Sequence, residues 1–192
     1  MRKLVYYVAT TLDGFIAAPG GADPSGSQFF PLADSDVEFI SEHYPETLPA
    51  PARQALGING PGQAFDTVLE GRASYEVGLA AGLANAYPHL RHIVFSTSLK
   101  SDDPSIEVVR GNALDRVRQL KAEAGKDLWL VGGGTLAHSL LGEIDRLVLK
   151  QHSSIIGSGI PLFNGPFHFQ PFRLADELTL GSGLRVLTFD RA

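Results

Sequence analysis

The spacing of apolar and polar residues predicts alternating strands and helices along most of the chain. Residues 3–9 are a compact run rich in Val and Tyr, which is typical of a buried strand. The same pattern predicts further strands over 65–70, 92–96, 106–109, 127–131 and 144–151, and helices over 73–83, 113–124 and 135–141. This alternation predicts a three-layer α/β domain with a mainly parallel sheet.

The two ends of the chain follow other patterns. Residues 172–180 and 184–190 are strand-like and are joined by Gly-Ser-Gly, which predicts an antiparallel hairpin at one sheet edge. In the first third a helix is predicted over 36–44, with Asp34 or Ser35 as its N-cap and three prolines (Pro45, Pro49 and Pro51) ending it. Glycine-rich loops over 20–26 and 57–62 flank this helix. One domain is expected for the 192 residues.

Composition and charge exclude several kinds of function. The absence of cysteine excludes a disulfide framework, an iron–sulfur cluster and a cysteine nucleophile. A net charge of −5 provides no basic field for a nucleic acid or an anionic membrane. No apolar stretch approaches the ~20 residues that a membrane span needs. We expect a cytoplasmic protein with a small-molecule substrate, and the scattered histidines give no metal-binding pattern.

The strongest local motif is LWLVGGGTLAHSLL, in which a strand runs into Gly132, Gly133 and Gly134 and then into a helix from Thr135. Free backbone N–H groups and a positive helix end predict a phosphate seat there, although a tight packing turn is an equal alternative. The motif also fits the dinucleotide fingerprint G-x-G-x-x-A. The next strand, however, ends in Lys-Gln-His without a ribose-binding acid, which disfavours a standard Rossmann site.

A second strand end carries the motif LEGRASYE. Gly71 ends the strand, and Arg72 and Ser74 lie on the first turn of the following helix. An arginine there opposes the helix dipole unless a ligand or a carboxylate compensates it. The motif therefore predicts an anion site, with a simple ion pair between Arg72 and Glu76 as the alternative.

A third strand end, VFSTSLK, offers the hydroxyls of Ser96 and Thr97 and the more distant cation of Lys100. Because the carboxyl ends of parallel strands line one crevice, the three motifs together predict a dinucleotide site.

The order LDG, GRASYE, VFSTSL, LVGGGTLAHSLL and IIGSGIPLF resembles the dihydrofolate reductase-like superfamily over nearly the whole chain. Within it, the chain is most similar to the branch that includes the reductase domain of the deaminase–reductase of riboflavin biosynthesis. The resemblance implies a three-layer dihydrofolate reductase-like fold and an NADPH-dependent reductase acting on a small heterocyclic or carbonyl substrate. A homodimer is common in that branch, and the C-terminal hairpin offers an apolar edge strand for it.

The resemblance also implies roles for the three motifs. Arg72 and Ser74 match residues that hold cofactor phosphates, and Gly132–Thr135 match the glycine turn under the pyrophosphate. Ser96 and Thr97, with Lys100 as a weaker candidate, match positions near the adenosine 2′-phosphate. The guanidinium of Arg72 and the ammonium of Lys100 near that phosphate would favour NADPH over NADH. The segment IIGSGIPLF is expected to pass close to the nicotinamide end of the cleft, with a simple tight connector as the alternative.

On the substrate side, Asp36 matches the carboxylate that the first helix presents in dihydrofolate reductases, and Asp13 belongs to a motif of the riboflavin branch. They are the first and second candidates for a catalytic acid, with an N-cap for Asp36 and an Asp-Gly turn for Asp13 as alternatives. Between Thr10 and Gly60 lie seven acids and one base, Arg53, which favours an uncharged or weakly basic substrate. The alternative function is an NADPH-binding module without catalysis.

Overall fold

A computed structural model describes residues 1–21, 29–101 and 103–192. Its elements are two strands, β1 (Leu4–Thr10) and β2 (Phe15–Ala17); two helices, α1 (Asp34–His43) and α2 (Ala50–Ala55); then β3 (Phe65–Gly71), α3 (Arg72–Ala80), β4 (Arg91–Phe95), β5 (Ile106–Val109), α4 (Ala113–Ala122), β6 (Asp127–Gly132), α5 (Gly134–Ser139), β7 (Arg146–Gln151), β8 (Ile160–Pro161), β9 (Phe172–Thr179) and β10 (Arg185–Arg191).

Eight of these strands form one sheet in the order β5-β4-β3-β6-β1-β7-β10-β9. The six strands from β5 to β7 are parallel, whereas β10 runs antiparallel to both β7 and β9. The mainly parallel sheet and the C-terminal hairpin predicted from the sequence are therefore confirmed. Two short strands missed by the periodicity, β2 and β8, pair in a separate antiparallel sheet.

The two faces of the sheet carry different apolar layers, because side chains alternate along each strand. On one face Leu4 and Tyr6 of β1 pack with Leu120 of α4 and Leu140 at the end of α5. On the other, Val5 and Tyr7 share a cluster that includes Phe39 of α1. The predicted three-layer arrangement is confirmed. Within the described ranges, no helix is long and apolar enough to cross a membrane.

The region after α1 differs from the prediction. Two of its three prolines begin helical turns, because Pro45 opens a 3₁₀ turn and Pro51 lies in the first turn of α2. Proline fits the start of a helix, where its missing N–H has no partner to lose. Helix α1 ends at His43, before Pro45, as predicted, but Pro45 and Pro51 also begin helical turns that the sequence did not predict. The loop predicted over 20–26 falls mostly on residues 22–28, which lie outside the described residues.

The start of α1 corrects a second expectation. Ala33, and neither Asp34 nor Ser35, is the N-cap residue. Asp36 at the third helical position reaches back, and its Oδ2 accepts the backbone N–H of Ala33 at 2.9 Å. This is the returning half of a capping box, which fixes where the helix begins.

Candidate functional site

The carboxyl ends of the six parallel strands meet at one edge of the sheet, where α3 and α5 begin. This edge has two parts. The ends of β3, β4 and β6 carry the three predicted cofactor motifs, and the ends of β1 and β7 lie next to them beyond β6. In parallel sheets this edge is the usual place for a ligand.

Arg72 is the first residue of α3, and Gly71 before it is an N-cap without a side chain to cap the helix. The Arg72 side chain is about half exposed. Its Nη1 donates to Ser98 Oγ at 3.1 Å, and its Nε lies 3.5 Å from Glu76 Oε1. The ion pair with Glu76 foreseen as an alternative is therefore present. An exposed pair of this kind is weak, so the guanidinium remains accessible to an anion.

A cavity of about 380 Å³ opens beside Arg72. Its lining consists of residues from α3, from the end of β4 and from the end of β5: Arg72, Phe95, Ser96, Thr97, Ser98, Val109 and Gly111. Ser96 Oγ accepts the backbone N–H of Leu99 at 2.9 Å, so that hydroxyl also shapes the turn. Lys100 is exposed and lies outside this lining.

The glycine turn lies against the start of α3. A Cβ placed on Gly132 would lie 3.8 Å from Ser74 Oγ, and one on Gly133 3.9 Å from the same atom. Gly132 has a φ of +149°, and its peptide bond to Gly133 is cis. The structure thus brings Ser74 of the second motif next to the glycines of the first, as the dinucleotide prediction requires.

Gly134 is needed for a different reason. A Cβ at this position would overlap the carbonyl oxygen of Pro161 in β8. Asn164, just after β8, donates its backbone N–H to Gly134 O at 3.0 Å and its side-chain amide to Thr135 Oγ1 at 3.3 Å. The chain after β8 therefore packs against the start of α5, which begins at Gly134 and not at Thr135.

Asp13 joins the loop after β1 to the loop that leads into β8. Its Oδ1 accepts the Thr11 hydroxyl at 2.6 Å, and its Oδ2 accepts the N–H of Gly157 at 2.8 Å and that of Ile156 at 3.2 Å. The Thr11 hydrogen bond, followed by those from the backbone, holds the pKa of Asp13 below its ordinary value. The carboxylate thereby fixes the loop that leads into β8.

Asp36 is 1% exposed and faces the start of the C-terminal hairpin turn. Ser182 Oγ donates to its Oδ1 at 2.5 Å, while its Oδ2 takes part in the capping box. Both of its oxygens therefore have protein partners. As a catalytic acid, Asp36 remains a prediction, as does Asp13.

The single base between Thr10 and Gly60, Arg53, has a structural position. It is 6% exposed and donates to the carbonyl oxygens of Pro45 and Gly60, each at 2.7 Å. Glu46, counted among the acids, is fully buried and accepts three backbone N–H groups. Both of these side chains are therefore committed to the fold, and the preference for an uncharged or weakly basic substrate remains a prediction.

Sequence reasoning passed over Lys150 and His152 at the end of β7. With Val148 they lie on the α1 face of the sheet, because every second residue of a strand shares a face. Lys150 Nζ lies 4.3 Å from the centre of the Tyr7 ring. His152 is 7% exposed and packs against Phe30 with 4.7 Å between ring centroids and a tilt of 36° between the rings. The signal available was the strand periodicity itself, which places a lysine where an apolar residue is expected.

The pair His89 and His92 is accounted for by hydrogen bonds. His89 Nε2 contacts Glu46 O at 2.8 Å, and the two ring nitrogens of His92 contact Glu70 Oε1 at 2.6 Å and Asn85 Oδ1 at 2.8 Å. No group of three or more potential metal ligands was found among the residues that the structure describes.

With this geometry established, comparison with known proteins identifies the family. Residues 2–186 match the model of the RibD C-terminal domain. The chain belongs to this family. Two relatives from Bacillus subtilis (strain 168) are both described as uncharacterized. YwjB is 27% identical over 191 residues and covers 96% of each chain, and YyaP is 26% identical over 201 residues, covering 98% of this chain and 94% of its own.

Solved structures share the fold of this RibD C-terminal domain protein. One is a putative riboflavin biosynthesis protein from Shewanella sp. PV-4, with a TM-score of 0.67, 20% identity and coverage of 100% and 99% of the two chains. Another is the Enterococcus faecalis dihydrofolate reductase complexed with NADP(H) and RAB-propyl, with a TM-score of 0.65, 13% identity and coverage of 98% and 96%. The resemblance inferred from the sequence is confirmed, and the family and fold are reductase-like.

Proposed function

We propose that this chain is an NADPH-dependent reductase that transfers hydride to a small heterocyclic or carbonyl substrate. The observation that carries the proposal is the meeting of the three predicted motifs at one edge of the sheet. Ser74 lies against the glycine turn, and Arg72 contacts Ser98 beside the 380 Å³ cavity. Bound NADPH would supply the hydride, so the protein needs only to bind and orient both partners.

The residues of the cofactor half fit such a group. The cavity combines the Arg72 guanidinium with the hydroxyls of Ser96, Thr97 and Ser98, which suits a phosphate ester with several acceptor oxygens. A second phosphate site is formed by the backbone of Gly132 and Gly133 beside the Ser74 hydroxyl, where the lack of a glycine side chain lets a phosphate come close to the backbone. We assign the adenosine 2′-phosphate to the cavity beside Arg72, with Lys100 at its margin, and the pyrophosphate to Gly132–Thr135 together with Gly71 and Ser74.

A binding experiment tests this assignment. We expect NADPH to bind more tightly than NADH. Arg72→Gln should weaken the binding of NADPH about tenfold and leave the binding of NADH nearly unchanged, because it removes one charge-assisted contact with the 2′-phosphate. Arg173→Gln is the control, since it removes the same charge from the exposed strand β9 at the far side of the sheet. Titration of each cofactor by fluorescence gives the dissociation constants. A preference for NADH would contradict the assignment.

Turnover separates an enzyme from a binding module without catalysis. NADPH absorbance is followed with a panel of pterins, pyrimidines and quinones. Consumption of NADPH with any of them supports the reductase. Tight NADPH binding without consumption across the panel supports the module, in which Asp13 and Asp36 would serve only the hydrogen bonds described above.

We also propose that two copies of the chain associate through β9. This strand is the last of the sheet, and it exposes Leu174 (54%) and Leu178 (43%), after a loop with Phe167 and Phe169 still more exposed. An unpaired apolar edge strand favours pairing with another chain. Light scattering should give the mass of a dimer, and the double change Leu174→Lys and Leu178→Lys should give a monomer. Leu56→Lys, on α2's exposed end, serves as the control.

A further inference from the structure

Lys150, near the end of β7, has an ammonium group that faces the ring of Tyr7. The nitrogen lies 4.3 Å from the centre of that ring. Among the described residues, no carboxylate oxygen lies within 4.0 Å of this ammonium. A cation–π contact stabilises a lysine, but it leaves the three N–H donors without acceptors.

His152, the residue after the end of β7, has a second unsatisfied group. Among the described residues, its buried Nε2 has no hydrogen-bond partner, and the same is true of Ser154 Oγ in the loop that follows. Buried polar atoms nearly always have a partner. Phe30 packs against the imidazole ring at a tilt of 36° and holds the ring in place.

The titratable groups around this pair come from neighbouring elements. Tyr7 of β1 lies under the Lys150 ammonium, Asp36 of α1 acts electrostatically on His152, and His152 follows the last residue of β7. Burial lowers the pKa of Lys150 to about 8. Burial, and then the charge of Lys150, lower the pKa of His152, while the charge of Asp36 raises it. Asp36 is already engaged by Ser182 and Ala33 and is not paired with the lysine.

We propose that Lys150 and His152 bind a negatively charged, delocalised oxygen group of the substrate, a carboxylate or an ionised enol. This inference rests on the proposed reductase function, because it places the substrate at the ends of β1 and β7, next to the glycine turn of β6. Lys150 donates to one oxygen and supplies the positive charge, and the His152 imidazole donates Nε2–H to the second. The bound anion thereby gives the Lys150 ammonium and His152 Nε2 each a partner.

The experiment compares pairs of small probes that differ in charge. Benzoate against benzamide tests a carboxylate, and the enolate of 1,3-cyclohexanedione against cyclohexanone tests an enol. Each is titrated by calorimetry into the protein with and without saturating NADPH. We expect at least one anion to bind tenfold or more tightly than its neutral analogue at pH 7. The advantage should shrink above pH 8, where Lys150 loses its proton.

Variants assign the effect to Lys150. Lys150→Met should abolish the advantage of the anion, whereas Lys3→Met, which removes a half-exposed lysine at the opposite end of β1, should preserve it. If Lys150→Met fails to fold, Lys150→Gln and the pH series on the unmodified protein test the same role of Lys150. Equal affinity for both members of both pairs, or an advantage that survives loss of Lys150, would overturn the inference. If NADPH does not bind, that result contradicts the proposed function and not the anion site at Lys150 and His152.

Discussion

Replacing Glu46 with glutamine should destabilise the protein although the side chain keeps its shape. Glu46 is fully buried in the 3₁₀ turn after α1. Its Oε1 accepts the backbone N–H groups of Ala64 and Phe65, both at 2.6 Å, and its Oε2 accepts that of Gln63 at 3.0 Å. These three bonds join the turn to the start of β3, which leads into the cofactor motif of Gly71 and Arg72.

The magnitude follows from the number of bonds. A glutamine side chain can still accept two N–H groups through its carbonyl oxygen, but its NH₂ group would then face the third donor. Leaving that donor without an acceptor costs ~1–3 kcal/mol. Loss of charge from the other two bonds weakens each by ~1 kcal/mol. The expected total is about 3–5 kcal/mol, which lowers the melting temperature of a chain of this length by roughly 6–20 °C.

Urea unfolding followed by circular dichroism measures this difference. Glu42→Gln is the matched control, because it makes the same chemical change on a side chain that is 73% exposed and has only a distant contact with His43. It should alter the free energy of unfolding by no more than ~0.5 kcal/mol. If Glu46→Gln and Glu42→Gln were equally stable, the three hydrogen bonds would not anchor the turn as described.

Two further predictions concern the sheet edge. Lys150 should make the free energy of unfolding rise by about 3 kcal/mol between pH 8 and pH 10.4. Its pKa is about 8 in the folded protein, so over this range the unfolded chain binds a proton that the folded protein has lost. Lys150→Met should lack this rise, and a variant with the same pH dependence as the unmodified protein would refute the prediction. Gly134→Ala should destabilise the protein by more than about 2 kcal/mol, since the added carbon overlaps Pro161 O, whereas Gly71→Ala meets only Leu136 at 3.7 Å and should be tolerated in urea unfolding.

The elements that the sequence predicted best are those with long, regular patterns. β1, β3 to β7 and the hairpin were placed to within a few residues, because each alternates or runs apolar in a way that one buried face requires. The strands β2 and β8 were missed because three- and two-residue strands have no periodicity to detect. The helix α2 was missed because its prolines were taken as terminators and not as first-turn residues.

The cofactor half of the site was easier to predict than the substrate half. Its motifs are local, and the rule that parallel strands end at one edge brings Arg72, Ser74 and Gly132 together without knowledge of side-chain packing. Prediction of the substrate half requires knowing which charged side chains already have partners within the fold. Arg53 and Glu46 are buried among backbone partners, whereas no acid among the described residues pairs with Lys150. Only a structure shows this difference.

The position of β1 in the sheet has a kinetic consequence. It lies between β6 and β7, so Leu4 pairs with Leu128 and Val5 with Arg146, partners more than 120 residues away. Closing loops of that length slows the folding of small domains, because chain entropy is lost before the distant contacts form. We therefore expect the strand that carries Tyr7 to the ammonium of Lys150 to be inserted late in folding. Until then β6 and β7 would present unpaired edges, on which newly made chains could associate.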